Sequence, residues 1–579
     1  MIRPIASVGG PAREVMAMTD LITALAVVFV TAGVFLLIAN QFSLSPIPFY
    51  LLAGLVTGTI VAEPQLIELA QWGIAFLVFT FGFRTDFSSV ESVLRDAETA
   101  AVTQLLVVGP IAFGVAHLVF GFGLENAVYF AIAATLSSTI VGARELEQEI
   151  RSNLVHGRLA SSVHFFDDLL AIGLIVVLSA EQYTSTLVTS KIGYGVIFLL
   201  VALLIYRHGF PLLVRLAGGS DELVMMGSIS ILIGFIAGAE LAGVSIVVGA
   251  FAAGIAIRGD DVSALGVQNG IASIRDFFVA IFFVTLGALV SIPSASVLVV
   301  ALTLAVLVLV ANPLVLMLAF VYEGYDARTA FLSSTSLNQI SELSLVVAIQ
   351  ALLLGSISET LFDAIILAAA ATMILTSVAR RYEEPVYRSL IERLVAGRQT
   401  RKIDERSAVD DDLEDHIVIV GYGRQGRRVV ETCERLGREY VVMDNDPVLW
   451  DDVRSECHNY VFGDALSTYP WTKARVSEAS LVVSTVDHRP VSEAVLEVET
   501  DADVILRSET AAEATALLEQ GATYVSVPNV LAGDHLTELV YAIGTNKTDT
   551  ETLKDDHLDY FDALERHGFA SRGRWGDTE

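Results

Sequence analysis

Two adjacent carboxylates, Asp167 and Asp168, interrupt an apolar run that reads Leu159 to Phe166 before them and Leu169 to Leu178 after them. A run of that length crosses a hydrocarbon core, and the pair falls about ten residues from its start near His156-Gly157-Arg158, roughly 15 Å deep. An ionised carboxylate at that depth costs several kcal/mol (about 3 by insertion scales) unless it faces a wet cavity or a partner, so intramembrane acids are functional candidates by default. Neighbouring acids short of water shed charge by taking up a proton or a metal cation. One carboxylate cannot hold both, and that competition is the physical basis of proton-for-cation exchange. Two other apolar runs carry polar interruptions: Ser137-Ser138-Thr139, and Ser333-Ser334-Thr335-Ser336 followed by Asn338-Gln339-Ile340-Ser341-Glu342. Interrupted helices in transporters aim helix ends and free carbonyls at an ion site. Asn312-Pro313 lies inside a further apolar run and predicts a third broken helix there.

These residues need a membrane scaffold. From Leu21 to about Ser377 the chain is a succession of apolar stretches, read as thirteen spans; the fifth covers about 125–141, the sixth 157–179, the eleventh 296–320 and the twelfth 329–352. The polar interruptions in the fifth and twelfth lie seven spans apart, matching an inverted repeat of spans 1–6 and 8–13 about a lone seventh. With the C-terminal region cytoplasmic, the inward loops carry Arg84, Arg95, Arg144, Arg151, Arg158, Arg207, Arg215, Arg258, Arg275 and Arg328. Outward loops carry only Lys191, and the N-terminal tail adds Arg3 and Arg13. Basic residues favour the cytoplasmic side.

A different chemistry begins at His416-Ile417-Val418-Ile419-Val420, a buried strand followed by Gly421-Tyr422-Gly423-Arg424-Gln425-Gly426 and a helix. A second strand, Tyr440 to Met443, ends at Asp444. Glycines between strand and helix, with an acid about 20 residues on, form a dinucleotide-binding signature. The helix N-terminus receives phosphate, and Asp444 can bond ribose hydroxyls. An acid there disfavours a 2′-phosphate, so the motif favours NAD(H) or an adenine nucleotide over NADP. Four more strands follow, one of them before Gly463-Asp464-Ala465, which predicts a Rossmann-like sheet of about six strands with Asp464 at its binding edge.

Composition agrees with two parts. The 579 residues are 54% hydrophobic, with mean hydropathy +0.61, too apolar for an ordinary soluble enzyme. The net charge of −30 is concentrated in residues 404–579, where 37 acidic side chains face 16 basic ones, a difference of −21. Such a surface repels nucleic acid and anionic lipid, and it suits a cell interior of high salt, where counterions screen the repulsion. The two cysteines, Cys433 and Cys457, form neither a metal spacing nor a disulfide framework. The expected domains are an N-terminal tail 1–20, a transmembrane region 21–380, a linker 381–415, the Rossmann-like domain 416–544 and an acidic tail 545–579.

In order, Tyr50-Leu51-Leu52-Ala53-Gly54, Leu136-Ser137-Ser138-Thr139, His156-Gly157-Arg158-Leu159-Ala160, Phe165-Phe166-Asp167-Asp168, Gly243-Val244-Ser245, Phe282-Phe283-Val284-Thr285-Leu286-Gly287 and Gln339-Ile340-Ser341-Glu342 resemble the motifs of the Kef-type monovalent cation:proton antiporters. The segment from His416 resembles the TrkA N-terminal domain that regulates potassium channels and transporters. The resemblance implies an all-α membrane fold of about thirteen helices, like that of the Na+/H+ exchangers, with an α/β domain attached. It implies a homodimer in the plasma membrane, working by elevator-like alternating access, with the attached domain in the cytoplasm. It makes Asp168 the ion- and proton-binding acid, with Asp167, Ser138, Thr139, Asn312, Gln339 and Glu342 around it. Gly421, Gly423, Arg424, Gly426, Asp444 and Asp464 would hold a regulatory nucleotide. Kef-type members usually have Gln before the transport acid, whereas Asp167 stands here as in electrogenic sodium/proton exchangers; those place a lysine where Asn312 stands.

Two other functions fit parts of the sequence. A nucleotide-gated potassium channel would carry the same C-terminal domain, but the chain has no Thr-Val-Gly-Tyr-Gly type filter. A membrane-anchored dehydrogenase would need a substrate domain after Asp444, and no segment there has room for one. The expectation is therefore a transporter of protons and K+ or Na+ rather than an enzyme.

Overall fold

A computed structural model describes residues 21–545 and scattered positions to 559, apart from 43, 85–89, 152–153, 179–184, 219, 258–264, 392–402, 447–448, 546–550, 552 and 556. The expected N-terminal tail, most of the acidic tail and residues 392–402 of the linker lie outside the described residues. The chain forms two compact units. The first comprises Met1–Glu147, Leu159–Ala319 and Phe331–Pro385; the second comprises Gln148–Arg158, Phe320–Ala330 and Val386–Glu579.

The helical region contains α1 (Leu21–Gln41), α2 (Pro46–Thr57), α3 (Glu63–Arg84), α4 (Val90–Gly114), α5 (Leu124–Thr135), α6 (Thr139–Glu145), α7 (Glu147–Arg151), α8 (Val155–Leu178) and α9 (Ser185–Leu204). It continues with α10 (Phe210–Ala217), α11 (Asp221–Leu241), α12 (Ile246–Ala256), α13 (Leu265–Ala288), α14 (Ala295–Val306), α15 (Asn312–Glu323), α16 (Ala327–Thr335), α17 (Glu342–Leu353) and α18 (Glu359–Ala379). Among the described residues seven helical stretches are long and apolar enough to cross a membrane, and α2, α12 and α17 are shorter apolar helices.

Side-chain exposure along 295–323 identifies the solvent this surface meets. Leu302, Val306, Val310, Leu314 and Leu318 are all more than half exposed, and their spacing of four puts them on one helical face. A soluble protein would bury such a stripe; facing acyl chains, it needs no partner. On the inner side small residues let backbones approach. A Cβ added at Gly54 of α2 would lie 2.6 Å from Gly287 Cα of α13, the close packing by which membrane helices gain dispersion contact.

The third broken helix expected at Asn312-Pro313 is not there. Leu307–Ala311 forms a π turn between α14 and α15, and Asn312 keeps helical angles of φ −62 and ψ −56. Proline removes one N–H and crowds the carbonyl four residues earlier. The widened turn absorbs that misfit while the helix runs on. The interruptions in the fifth and twelfth spans are real: α5 stops at Thr135 before α6 starts at Thr139, and α16 stops at Thr335 before α17 starts at Glu342.

The second unit holds a six-stranded sheet of order β3-β2-β1-β4-β5-β6, with β1 His416–Val420, β2 Tyr440–Asp444, β3 Tyr460–Phe462, β4 Ala479–Ser484, β5 Asp503–Arg507 and β6 Tyr524–Ser526. All neighbouring pairs are parallel. The inner strand β1 is buried along its whole length, as a parallel strand covered on both faces must be. The order reverses direction between β1 and β4, and a crevice opens beyond the strand C-termini at such a switch point.

Candidate functional site

The two interrupted segments meet. Ser137 and Ile340 form an isolated antiparallel bridge, and the Ser341 N–H donates to the Leu136 carbonyl at 3.0 Å. Unwinding leaves helix-end N–H groups without partners, and at this depth water does not supply them. Side chains do. Ser138 caps α6 by accepting from the Val141 N–H at 3.3 Å, and Ser341 caps α17 by accepting from Leu343 at 3.0 Å. Glu342, fully buried, reaches across to accept the Ile140 N–H at 3.0 Å, so a carboxylate from one repeat sits on the positive end of a helix in the other. Gln339 donates to the carbonyls of Ser138 (3.2 Å) and Ser336 (3.0 Å). Asn312 donates to the Leu337 carbonyl at 3.3 Å. Thr376 donates to the side-chain oxygen of Asn338 at 2.7 Å, and Thr372 accepts from the Ile340 N–H.

Asp167 and Asp168 face this crossing from the thirteenth and fourteenth of the 24 residues of α8. Adjacent residues differ by about 100° around a helix, so the two acids take different partners. Asp167, 3% exposed, accepts from both the Ser137 N–H (2.9 Å) and the Ser137 hydroxyl (2.6 Å) at one oxygen. Asp168 is less deeply buried and accepts from the Thr139 hydroxyl at 2.8 Å. Of the residues expected around the ion, Ser138, Thr139, Asn312, Gln339 and Glu342 are all gathered here. Four of them, Ser138, Asn312, Gln339 and Glu342, bond the crossing itself, and Thr139 bonds Asp168. A backbone N–H and a hydroxyl, both uncharged, stabilise Asp167 by hydrogen bonding.

Two contributors carry no mark in the sequence. Ser137 was one hydroxyl in a run of three, with nothing to mark it as the partner of an acid thirty residues on. His164 lies one turn before Asp167, at the i, i+3 spacing that shares a helix face, and its Nδ1 is 3.1 Å from the Ser137 hydroxyl.

In the second unit the glycine-rich loop leaves the end of β1. Gly421 has φ +90, open to glycine at little cost, and a Cβ there would lie 2.9 Å from Thr485 Oγ1 and from Val486. A Cβ on Gly426 would collide with the Gly421 carbonyl. At Gly423, by contrast, a Cβ would meet nothing within 4 Å. Gly423 precedes the helix Arg424–Leu436, whose first turn carries no acid and whose N-cap has no side-chain bond. That is open space before free N–H groups, which suits a phosphate. Asp444 ends β2 and takes the Tyr422 N–H (2.6 Å) and the Asp446 N–H (2.8 Å) on separate oxygens, leaving each a lone pair for a ribose hydroxyl. Burial first, and the charge of Asp446 second, push the Asp444 carboxyl up to about 6, against the two N–H bonds that pull it down. Asp464, beyond β3, accepts the Leu466 N–H at 3.0 Å and pairs with Arg328 of the same unit at 3.2 Å. Behind the loop Arg427 lies 4.6 Å over the Tyr422 ring and bonds Asp452 and Glu456; it holds the loop and was not among the expected residues.

Comparison with known proteins matches both regions. Residues 25–381 match the family described as sodium/hydrogen exchanger, transmembrane, and residues 417–528 match the TrkA-N domain. The chain is 26% identical over 539 residues to YbaL of Escherichia coli (strain K12), a protein named as a cation/proton antiporter, covering 88% of this chain and 95% of that one. It is 23% identical over 481 residues to the glutathione-regulated potassium-efflux system protein KefC of Salmonella schwarzengrund (strain CVM19633), covering 79% and 74%. The sodium proton antiporter MjNhaP1 from Methanocaldococcus jannaschii superposes with TM-score 0.50 and 15% identity, covering 64% of this chain and 98% of that chain, and shares the fold. A membrane-helical region matched over most of its length, joined to a parallel-sheet TrkA-N domain, places this chain in the sodium/hydrogen exchanger family of antiporters.

Proposed function

We propose that the chain exchanges protons for a monovalent cation, K+ or Na+, at Asp168. The observation that carries this reading is the pairing of α8 with the crossed segments: two adjacent acids in mid-helix, the buried Asp167 bonded twice by Ser137 at a chain interruption and the less buried Asp168 bonded by Thr139. Asp167 is the fixed counter-charge, satisfied by Ser137. Asp168, less deeply buried than Asp167 and bonded by the Thr139 hydroxyl, is the acid that a proton and a cation occupy in turn. Hydroxyls, carbonyls and one carboxylate can serve either alkali ion, and the potassium-efflux name of KefC favours K+. Asn312, Gln339 and Glu342 act at one remove, by keeping the two interruptions crossed.

The TrkA-N domain supplies regulation. NAD(H) or an adenine nucleotide would lay its phosphates before Gly423 and Arg424, against the helix N-terminus, with its ribose on Asp444; Gly421 and Gly426 shape the turn. Ligand binding of this kind biases transport only if the nucleotide prefers one arrangement of the transport region. The protein works as a homodimer in the plasma membrane with this domain in the cytoplasm, and its acidic surface fits a salt-rich cell interior.

Everted membrane vesicles loaded with a pH-sensitive dye test the reading. Added K+ or Na+ should dissipate an imposed proton gradient with the native chain and fail to do so with Asp168→Asn present in the membrane at native level. Undiminished exchange by that variant would remove Asp168 from the mechanism.

A further inference from the structure

His164 is buried at 2% exposure, and neither the exchange chemistry nor the crossing described above uses it. Its surroundings determine where its protons are. The Ser137 hydroxyl has one hydrogen and two neighbours that could accept it: Asp167 Oδ2 at 2.6 Å and His164 Nδ1 at 3.1 Å. The shorter contact has the length of a charge-assisted O–H···O⁻ bond, and an ionised carboxylate is the stronger acceptor. The hydrogen therefore points to Asp167, and Nδ1 must carry its own hydrogen and donate it to the Ser137 oxygen. The other ring nitrogen agrees. Nε2 is buried with no hydrogen-bond partner among the described residues, and it presses on Gly142, where an added Cβ would collide with it. A bare acceptor is tolerated in such a place far better than an orphaned N–H donor. Both ends of the ring select one tautomer.

We propose that His164 is a positioning residue for the exchange site, acting through Ser137: the Nδ1–H bond fixes the hydroxyl with its hydrogen on Asp167 and so keeps Asp167 ionised and twice bonded to Ser137 beside Asp168. This rests on the exchange reading above. Without the imidazole donor the hydroxyl can turn, Asp167 takes up a proton more readily, and the site loses part of the negative charge that attracts the cation. Gly142 belongs to the same device, because only a residue without Cβ lets the ring stand at this angle.

The test uses purified full-length chain in liposomes, measuring cation KM and Vmax at one pH for the native protein, Asp168→Asn, His164→Leu, His164→Asn and His164→Gln. An asparagine amide reproduces a donor where Nδ1 stands, whereas glutamine carries its amide past that point toward Gly142. Expected are a cation KM raised about fivefold to tenfold in His164→Leu, the effect of one lost hydrogen bond to a charge-linked network, with Vmax changed by less than about twofold. His164→Asn should stay near the native KM, and His164→Gln should not. If the leucine variant fails to fold, the Asn and Gln pair decides: equal KM values in those two overturn the assignment, as does a native KM in His164→Leu. Those failures with Asp168→Asn inactive would sink only the role of His164; an active Asp168→Asn would sink the exchange site itself.

Discussion

Replacing Thr139 by valine removes one hydroxyl and keeps the shape of the side chain. In the native chain that hydroxyl donates to Asp168 Oδ2 at 2.8 Å, and α6 keeps its own cap because Ser138, not Thr139, receives the Val141 N–H. A hydrogen bond to a charged group contributes about 1.5–3 kcal/mol. Thr139 and Asp168 are only partly buried, so the lower end, about 1.5 kcal/mol, applies. The bond stabilises the carboxylate over its protonated form, and the cation needs the carboxylate. Its loss hands the advantage to the proton, and 1.5 kcal/mol corresponds to roughly a tenfold rise in apparent cation KM at fixed pH. Vmax should change little, because a saturating cation restores occupancy. The assay is cation-dependent dissipation of a proton gradient in liposomes, with monodispersity of the purified variant as the control for folding. A well-folded Thr139→Val with native KM would show that the Thr139 bond does not tune the site, and that the pairing of α8 with the first interruption is structural alone.

Other outcomes are expected elsewhere. Nucleotide affinity should fall by about fourfold from pH 7.5 to 5.5 as the Asp444 carboxyl, raised to about 6, gains a proton and stops accepting from ribose; calorimetry with NAD or AMP reads this, and Asp444→Asn should show weak binding with no such slope. Protonation of this acid cannot unfold the domain, because a carboxyl raised in the folded state favours folding increasingly as pH falls from 6 toward its ordinary value, and that contribution is lost as pH rises through 6. Gly426→Ala should abolish nucleotide binding and lower the domain's melting temperature, since its Cβ would strike the backbone carbonyl of Gly421, which cannot move like a side chain. Glu342→Ala should cost about 1–3 kcal/mol by leaving the Ile140 N–H buried without an acceptor; Glu342→Gln, which keeps an acceptor oxygen, should recover most of the thermal stability. The C-terminal domain, with 37 acidic against 16 basic residues from 404 onward, should melt at higher temperature in molar KCl than in dilute buffer, and a flat response would remove the salt-adaptation reading.

The sequence made the acids and the interruptions visible because both are polar where everything around them is apolar. The six strands were visible for the opposite reason: short apolar runs between turn residues and charged helices. Partnership was hidden. Glu342 and Ile140 are 202 positions apart, and nothing local in either names the other. His164 reads as an ordinary packed histidine until its distance to Ser137 is known. Asn312-Pro313 misled because proline in a helix admits two outcomes, a break or a π turn. Which one forms depends on whether neighbouring side chains and the next turn can take up the displaced carbonyl, a tertiary matter. Asp444 was recognisable by its place after β2, but its contact with the Tyr422 N–H, which closes the glycine loop, was not.

The meeting of Leu136–Ser138 with Leu337–Ser341 also bears on how this transporter can change over evolutionary time. The carbonyls of Leu136 and Ser138 take the Ser341 N–H and the Gln339 amide, and Glu342 takes the Ile140 N–H, so a replacement acceptable in one segment depends on what occupies the other. Positions 136–140 and 337–342 should therefore drift together across descendants, and a graft of one half from a relative should fail unless its counterpart comes with it.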